Sequence, residues 1–290
     1  MGKSTKKVSA WLMVIFLTML VIGVAVWIAV GNSALGVTVY RIEKTNLPSA
    51  FDGYKIAQVS DLHNAEMGED NADLLGALSK AEPDIIVVTG DLVDSRKTDF
   101  GVSLRFMQRA VQIAPCYYVT GNHEARLAKG FPAFEQDLIA AGVSVLRNET
   151  VVIERGDRHL TLIGLDDPNY MRGDEAVALS AQLQTLTSQT DGFTVLLAHR
   201  PEFLETYVAH GVDLVFSGHA HGGQFRFFNQ GIYAPGQGLF PAYTAGVFTR
   251  GNTSMVVSRG IGNSAFPFRL NNPPELVLVE LASKAELASK

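Results

Sequence analysis

Residues 84–91 read DIIVVTGD, an apolar run that ends in a threonine, a glycine and an aspartate. Continuous β-branched residues predict a strand covered on both faces, as in a parallel sheet with helices packed on it. The same order, an apolar run and then polar residues, recurs at 55–63 (KIAQVSDLH), 116–124 (CYYVTGNHE), 193–199 (FTVLLAH) and 213–221 (DLVFSGHAH). This repeated arrangement decides the fold class.

Segments with helical periodicity lie between the apolar runs. The predicted strands are Tyr54–Ser60, Asp84–Thr89, Cys116–Thr120, Leu160–Leu165, Phe193–Ala198 and Asp213–Ser217. The predicted helices are Asn71–Ala81, Phe100–Ile113, Phe131–Ala141, Glu175–Thr187 and Glu202–His210. This alternation predicts an α/β domain. After His221 the chain is rich in glycine, proline and aromatic residues, and it predicts short antiparallel strands at Gln224–Phe228, Ile232–Ala234, Tyr243–Thr249 and Ser254–Ser258 and a last strand at Leu276–Leu281.

The N-terminus carries an uncharged apolar stretch from Val8 to Val30. As a helix it is roughly 34 Å long, enough to span a bilayer core. Lys3, Lys6 and Lys7 precede it and predict a cytoplasmic N-terminus with the rest of the chain outside. A cleaved signal peptide is the competing interpretation, but the stretch is long and Asn32-Ser33-Ala34 is a poor cleavage site.

The chain therefore divides into five predicted segments. They are a cytoplasmic N-terminus (1–7), a transmembrane anchor (8–30), an extended linker (31–50), a folded domain (51–282) and a C-terminal tail (283–290). The net charge of −5 predicts no nucleic-acid partner, and a single cysteine, Cys116, excludes an intramolecular disulfide.

Polar residues cluster directly after five of the predicted strands. In open α/β sheets ligands bind beyond the carboxyl ends of strands, so the five clusters can converge. Asp61 and Asp91 are 30 residues apart, and Asp91 and Asn122 are 31 residues apart. A βαβ unit takes roughly 30 residues, so each step returns the chain to the same edge of the sheet.

The residue types in these clusters predict a metal site. Imidazole and carboxylate groups suit zinc, manganese and iron, and no thiolates are present among them. One such residue after a strand is more often a turn, a cap or a hydrogen-bonded structural residue, but five ordered clusters are hard to explain as chance. Seven potential ligands exceed one tetrahedral ion and fit two divalent cations with one bridging carboxylate: Asp61, His63, Asp91, Asn122, His199, His219 and His221. Such a site is net positive and attracts phosphate.

The ordered set resembles the calcineurin-like metallophosphoesterase superfamily. Its motifs, D-x-H, G-D-x-x-D, G-N-H-D/E, a lone H and G-H-x-H, match 61–63, 90–94, 121–124, 199 and 218–221, and the resemblance covers residues 55 to about 225. The anchor and the Gly-rich C-terminal part make the chain most similar to the bacterial membrane-anchored phosphodiesterase branch. The resemblance implies a four-layer αββα sandwich of two mixed sheets flanked by helices.

The resemblance also implies a role for each residue. Asp61, His63, Asp91 and His221 would hold the first metal, and Asn122, His199 and His219 would complete the second, with Asp91 as the bridge. His123 would donate a proton to the leaving oxygen or stabilise charge on phosphorus. Asp94 and Glu124 would orient His123 or the ligands, and capping of a helix start is an equal alternative. The metals would be manganese, iron or zinc, and the implied reaction is in-line attack of a metal-activated hydroxide on a phosphoester, with a phosphodiester as the favoured substrate.

Further residues bear on the substrate, which the anchor suggests is lipid-linked. Gly222, Gly223 and Gln224 would allow a close approach. Four aromatic residues are predicted in the core in preference to an apolar wall for substrate: Phe225, Phe227, Phe228 and Phe240. Arg200 and Arg226 would contact a second phosphate or lie solvated on the surface. The alternative functions are a UDP-diacylglucosamine pyrophosphatase-like hydrolase, a non-catalytic binding protein of the same fold and, least favoured, a nuclease.

Overall fold

The computed structural model describes residues 2–127, 129–263 and 266–284, with side chains from residue 11 onward. Its helices are α1 (Gly2–Ser33), α2 (Ala72–Ala81), α3 (Phe100–Ala110), α4 (Asn122–Arg126), α5 (Phe131–Ala140), α6 (Glu175–Thr187) and α7 (Leu204–Ala209). Its strands are β1 (Gly36–Lys44), β2 (Lys55–Val59), β3 (Ile85–Thr89), β4 (Cys116–Val119), β5 (Ser144–Val145), β6 (Glu149–Arg155), β7 (Arg158–Gly164), β8 (Thr194–Leu197), β9 (Leu214–Ser217), β10 (Arg226–Phe227), β11 (Gln230–Gly231), β12 (Tyr233–Ala234), β13 (Gly238–Leu239), β14 (Gly246–Arg250), β15 (Thr253–Val257) and β16 (Glu275–Ser283).

Two mixed six-stranded sheets form the centre of the domain. The first has the order β1-β16-β2-β3-β4-β5 and the second β14-β15-β9-β8-β7-β6. A buried apolar cluster lies between them, with Ile56 and Val87 from the first sheet against Leu162 and Val195 from the second. This confirms the predicted α/β sandwich of two mixed sheets.

Helices cover the outer face of each sheet. One apolar cluster joins the first sheet to α2, α3 and α5, for example through Leu78, Phe106 and Phe134. Another joins the second sheet to α6 and α7, through Leu183 and Tyr207. Because both faces of the central strands are buried, their sequences are continuous apolar runs.

The parallel strands bring the polar clusters to one edge. β2, β3 and β4 are parallel neighbours in the first sheet, and β7, β8 and β9 are parallel neighbours in the second. Asp61, Asp91 and Asn122 follow the first three strands, and His199 and His219 follow β8 and β9. The sheets therefore place all five loops at the carboxyl ends of their strands, as the spacing predicted.

The predicted linker differs from the structure. Within residues 31–50, Gly36–Lys44 forms β1, which pairs in parallel with the whole of β16. Its burial alternates, with Arg41 and Glu43 exposed and only Ile42 and Lys44 buried, so it lacks the continuous apolar run that marks the central strands. β6 was missed for the same reason, because it is an edge strand with one buried residue, Ile153. At the other end β16 reaches Ser283, and the predicted tail beyond 284 lies outside the described residues.

α1 contains the apolar stretch that the sequence predicted as an anchor. Residues Trp11–Ser33 form 23 residues of helix. The most apolar 18-residue stretch of this helix has a mean hydropathy of 2.8, and 0% of it is buried against the rest of the protein. Length and composition make it one candidate membrane span among the described residues.

The pairing of β1 with β16 predicts where the domain can be cut from the anchor. A chain that starts at residue 34 keeps β1. A chain that starts at residue 46 lacks β1, so the hydrogen bonds between β1 and β16 and the buried side chain of Ile42, which is 6% exposed, are lost. We expect the shorter chain to be less stable by about 3 kcal/mol or more. Equal denaturant midpoints for the two proteins would contradict the assignment of β1 to the sheet.

Candidate metal centre

All seven predicted ligand residues lie together in the interior of the carboxyl edge. Asp61, at 0% exposure, is the most buried, and His63, at 7%, is the least. They come from five loops and from both sheets, so the arrangement depends on the packing of the whole sandwich.

The first group of ligands consists of Asp61, His63, Asp91 and His221, whose ligand atoms all lie within 4.8 Å of one another. His63 Nε2 lies 3.2 Å from His221 Nε2 and 3.5 Å from Asp91 Oδ2. Asp61 Oδ1 lies 3.3 Å from His221 Nε2. Two imidazole nitrogens and two carboxylate oxygens therefore face one small volume, which is the donor set that divalent cations of the zinc and manganese kind bind.

The second group consists of Asp91, His199 and His219, again within 4.8 Å. His199 Nε2 lies 3.3 Å from Asp91 Oδ2 and 3.1 Å from His219 Nδ1. One amide atom of Asn122 lies 2.8 Å from the same Nδ1. With its oxygen turned toward His219 Nδ1, Asn122 would supply a further ligand. Since Asp91 belongs to both groups, its carboxylate is placed where a bridge between two ions would be.

The imidazoles of the site are held mainly in the neutral form that binds metals. Burial lowers the pKa of His63 to about 3, and it lowers the pKa of His219 and His221 well below the usual range. His199 is the exception, since Asp91 and Asp61 outweigh its burial and raise its pKa to about 10. A cation at this position would replace that proton in neutralising Asp91. The donor set and its protonation thus fit divalent metal ions.

The backbone of the ligand loops is unusual in the same places. Five of the ligand residues have a left-handed backbone, with φ of 51° for Asp61, 48° for His63, 50° for Asp91, 64° for His219 and 47° for His221. Such conformations cost about 1–3 kcal/mol each in non-glycine residues and are concentrated at functional sites. Neighbouring glycines make the close approach possible, because a Cβ at Gly90 would lie 2.6 Å from His199 Nδ1.

Side chains and carbonyls outside the two groups fix the ligands. Ser60 donates a hydrogen bond to Asp61 Oδ2 at 2.6 Å, and Thr89 O lies 2.7 Å from His199 Nδ1, which turns Nε2 toward Asp91. Arg269 Nη2 lies 3.4 Å from His221 Nδ1. Sequence reasoning missed all three. Ser60 and Thr89 end two predicted strands just before predicted ligands, so their positions were a usable signal. Arg269 lies 48 residues after His221 and belongs to no motif.

Glu124 is both a cap and a support for Asp91. Its Oε2 accepts hydrogen bonds from the backbone N–H of Gly121 at 2.7 Å and of Asp91 at 3.0 Å, and its Oε1 accepts one from Val93 at 3.2 Å. Burial and the nearby Asp91 raise its pKa to about 7. The two alternatives that the sequence left open are therefore combined in one side chain.

His123 presents one ring nitrogen to the site. The backbone N–H of Ser95 donates to Nδ1 at 2.9 Å, so a neutral His123 carries its proton on Nε2. Nε2 lies 4.0 Å from Asp91 Oδ2, at the edge of the ligand groups. Ser95 had no signal in the sequence, because the contact uses its backbone.

Asp94 lies between two of the histidines. Its oxygens are 3.8 Å from His63 Nδ1 and 3.5 Å from His123 Nδ1, while its hydrogen bonds go to Arg96, at 2.7 Å to the backbone N–H and 3.0 Å to Nη2. Asp94, His63 and His123 also form a third close group of possible metal ligands.

A cavity of ≈ 360 Å³ opens above the ligands. His123, Asn122 and Asp91 line it together with three basic side chains, Arg96, Arg126 and Arg200. Arg200 is 8% exposed and makes a two-point ion pair with Asp167, at 2.7 and 3.0 Å, so it is held in place rather than solvated. The cavity therefore combines the ligand groups with a positive wall suited to an anionic substrate.

Several residues predicted to shape the substrate site have structural roles instead. Arg226 is 7% exposed and binds Gly222 O at 2.7 Å, which places it neither on a phosphate nor in solvent. Gly223 packs against the backbone of Gly231, and Gln224 donates to Phe268 O at 2.7 Å. These residues shape the loop after His221 by closing it on itself.

The prediction that the aromatic residues lie in the core is wrong for three of the four. Phe227 is 67% exposed, Phe228 90% and Phe240 68%, while Phe225 is half-buried. They belong to the two short hairpins β10–β11 and β12–β13, which lie outside both large sheets. No layer covers this side of the hairpins among the described residues, so periodicity alone could not assign their orientation.

Comparison with known proteins identifies the family. Residues 54–223 match the calcineurin-like phosphoesterase family. The chain is 30% identical to an uncharacterized metallophosphoesterase of Bacillus subtilis, YkuE, over 85% of each chain. It is 29% identical to the phosphodiesterase YaeI of Escherichia coli, over 79% of this chain and 82% of that protein.

A solved structure shares the fold. The crystal structure of TT1561 of Thermus thermophilus has a TM-score of 0.51 at 12% identity, over 72% of this chain and 90% of that one. The order of the motifs, the two sheets and the grouped ligands agree with these matches, and the chain belongs to the calcineurin-like metallophosphoesterases, a family of hydrolases.

Proposed function

We propose that this metallophosphoesterase is a membrane-anchored phosphodiesterase with two divalent cations in its site. The observation that carries the proposal is the Asp91 carboxylate, whose Oδ2 lies 3.5 Å from His63 in one ligand group and 3.3 Å from His199 in the other. When bound, the cations would supply an activated water and neutralise charge on a phosphoryl group. The relative YaeI is named a phosphodiesterase, which supports a diester substrate.

The protein's own residues supply the remaining steps. Arg96 and Arg126 on the cavity wall would attract and orient the anionic phosphoester. His123 would hold its Nε2 proton toward the leaving oxygen, because Ser95 occupies Nδ1 at 2.9 Å. Glu124 would keep the Asp91 and Asn122 loops at a fixed separation through its hydrogen bonds to Asp91 and Gly121.

Hydrolysis of bis-p-nitrophenyl phosphate tests this function. The purified chain with manganese should release p-nitrophenol, and removal of the metal by a chelator should stop the reaction. The Asp91→Asn variant should lose both metal content and activity, whereas Asp137→Asn, on the exposed face of α5, should keep them. Absence of metal-dependent turnover on a broad panel of phosphoesters would contradict the proposal.

His123→Ala separates proton donation from metal binding in the same assay. We expect kcat to fall by about 10²–10⁴ with the metal content retained, because His123 acts on the leaving group. His159→Ala is the matched control, since its side chain is 40% exposed on β7 and pairs with Asp191. Loss of metal from the His123 variant would instead make His123 a ligand, as its grouping with His63 and Asp94 allows.

The anchor sets the proposed location. We propose a cytoplasmic N-terminus at 1–7, a membrane span at 8–30 and a domain on the outer side of the cell membrane, which begins with β1 and not at residue 51. Support comes from the exposed apolar helix Trp11–Ser33 and the three lysines that precede it. Protease added to intact cells should degrade the domain. Protection until the cells are lysed would place the domain in the cytoplasm.

A further inference from the structure

The anchor joins the domain at the edge that carries the ligands. α1 ends at Ser33, and β1 begins at Gly36. β1 runs parallel to β16, and β16 runs antiparallel to β2, so β1 begins at the edge where β2 ends. Asp61 and His63 follow β2 at that same edge. The membrane end of the chain and the candidate metal centre are therefore on one side of the domain.

A direct chain of contacts links the end of α1 to a ligand. Asn32 Nδ2 donates to Arg269 O at 2.9 Å, and Arg269 N donates to Asn32 Oδ1 at 2.7 Å. The Arg269 side chain is 1% exposed and reaches His221 Nδ1 at 3.4 Å. These two hydrogen bonds attach the last turn of α1 to Arg269, and the Arg269 side chain in turn contacts His221. The helix is therefore not joined to the domain by a flexible linker alone.

Exposed apolar side chains lie on the segments next to this junction. We define the aromatic rim as six exposed apolar residues: Phe227 (67% exposed), Phe228 (90%), Leu239 (70%), Phe240 (68%), Phe266 (40%) and Phe268 (38%). The half-buried Phe225 ring lies 5.0 Å from Phe266 and 5.4 Å from Phe268. Backbone hydrogen bonds join the hairpins to the same segments, from Arg226 N to Leu270 O and from Ile232 N to Phe225 O, each at 2.9 Å. Phe268 directly precedes Arg269, which binds Asn32. The rim is thus continuous with the place where α1 leaves the domain.

We propose that the aromatic rim is a second membrane contact, which inserts into the interfacial layer of the leaflet that α1 enters and lays the edge with the metal centre against the bilayer. Phenylalanine and leucine side chains of interfacial proteins insert into the boundary between headgroups and acyl chains, and exposure of so many of them in water is unfavourable. The substrate class that follows is a phosphodiester in a lipid headgroup, reached without leaving the leaflet. This proposal rests on the membrane span and the phosphodiesterase activity proposed above.

A second cavity, of ≈ 550 Å³, is lined by residues of both the ligand groups and the rim. Its lining combines His63 and Asp94 with Phe266 and Pro267, and it includes the basic residues Arg96 and Lys97. Basic groups beside apolar ones match the phosphate and the glycerol ester of a lipid. The anchor already holds the domain at the bilayer, which raises the effective concentration of such a substrate.

Depth-dependent quenching in the full-length protein tests the membrane contact. Phe228→Cys and Phe240→Cys are labelled with an environment-sensitive fluorophore; the native Cys116 is buried, and unmutated protein gives the background. The labelled chains are incorporated into vesicles of phosphatidylethanolamine and phosphatidylglycerol that contain a lipid with a doxyl quencher near its headgroup. Asp157→Cys is the control, because Asp157 is 87% exposed in the turn before β7, at the opposite edge of the sheet.

The emission maximum of the labels at 228 and 240 should shift to shorter wavelength, and the quencher should remove more than half of their emission. The label at 157 should lose little of its emission. Vesicle flotation without quenching at the rim would overturn the proposal and leave the anchor standing. A blue shift without lipid quenching would overturn it in favour of a second copy or a protein on the rim. Failure of the chain to float with vesicles would overturn the span as well.

A separate assay tests the substrate class by measuring release of the same leaving group, p-nitrophenol, from a lipid ester and from a soluble ester. Phosphatidyl-p-nitrophenol in the vesicles is compared with soluble bis-p-nitrophenyl phosphate. In the Phe228→Ser/Phe240→Ser variant the ratio of lipid to soluble hydrolysis should fall several-fold. An unchanged ratio would overturn the lipid substrate class. If the unmutated protein hydrolyses neither ester, the phosphodiesterase function is contradicted. The quenching experiment measures membrane contact and does not depend on either result.

Discussion

The site and the packing around it depend on the contacts of the buried Asp91 carboxylate with histidines from both sheets. Its Oδ2 lies 3.5 Å from His63 and 3.3 Å from His199, and its Oδ1 accepts the backbone N–H of His123 at 2.8 Å. His63 follows a strand of the first sheet and His199 a strand of the second. A buried charge is tolerated only with such partners, so the two sheets must meet at a fixed distance for Asp91 to be stable.

The surrounding loops carry the consequences of burying that charge. Asp91 has a left-handed backbone with φ of 50°, and a Cβ at Gly121 would contact its side chain. Glu124 receives the backbone N–H of Asp91 at 3.0 Å although both are acidic and buried. The left-handed backbone and the burial of two neighbouring carboxylates cost free energy in the metal-free protein, and two divalent cations would offset that cost by neutralising the carboxylates. Ligand binding and local stability are coupled in this way.

The sequence predicted the central strands and the ligands because both leave local signals. Continuous apolar runs mark β3 and β8, and the polar residues after them lie at the carboxyl edge of any parallel sheet. β1 and β6 left weaker signals, since an edge strand needs few buried residues. Arg269 and Ser95 left none, because their contacts depend on loops that only the packed sandwich brings together. The exposure of Phe228 and Phe240 was wrongly predicted because composition does not show which face of a hairpin lacks a covering layer.

Anomalous diffraction from crystals of the protein soaked in manganese would show whether the Asp91 carboxylate joins two metal sites. Two anomalous peaks are expected, about 3.5–4 Å apart, one on each side of the Asp91 carboxylate. One peak would lie among Asp61, His63 and His221, and the other between His199 and His219. A single peak, or a peak among His63, Asp94 and His123 without one beside His199, would contradict this arrangement.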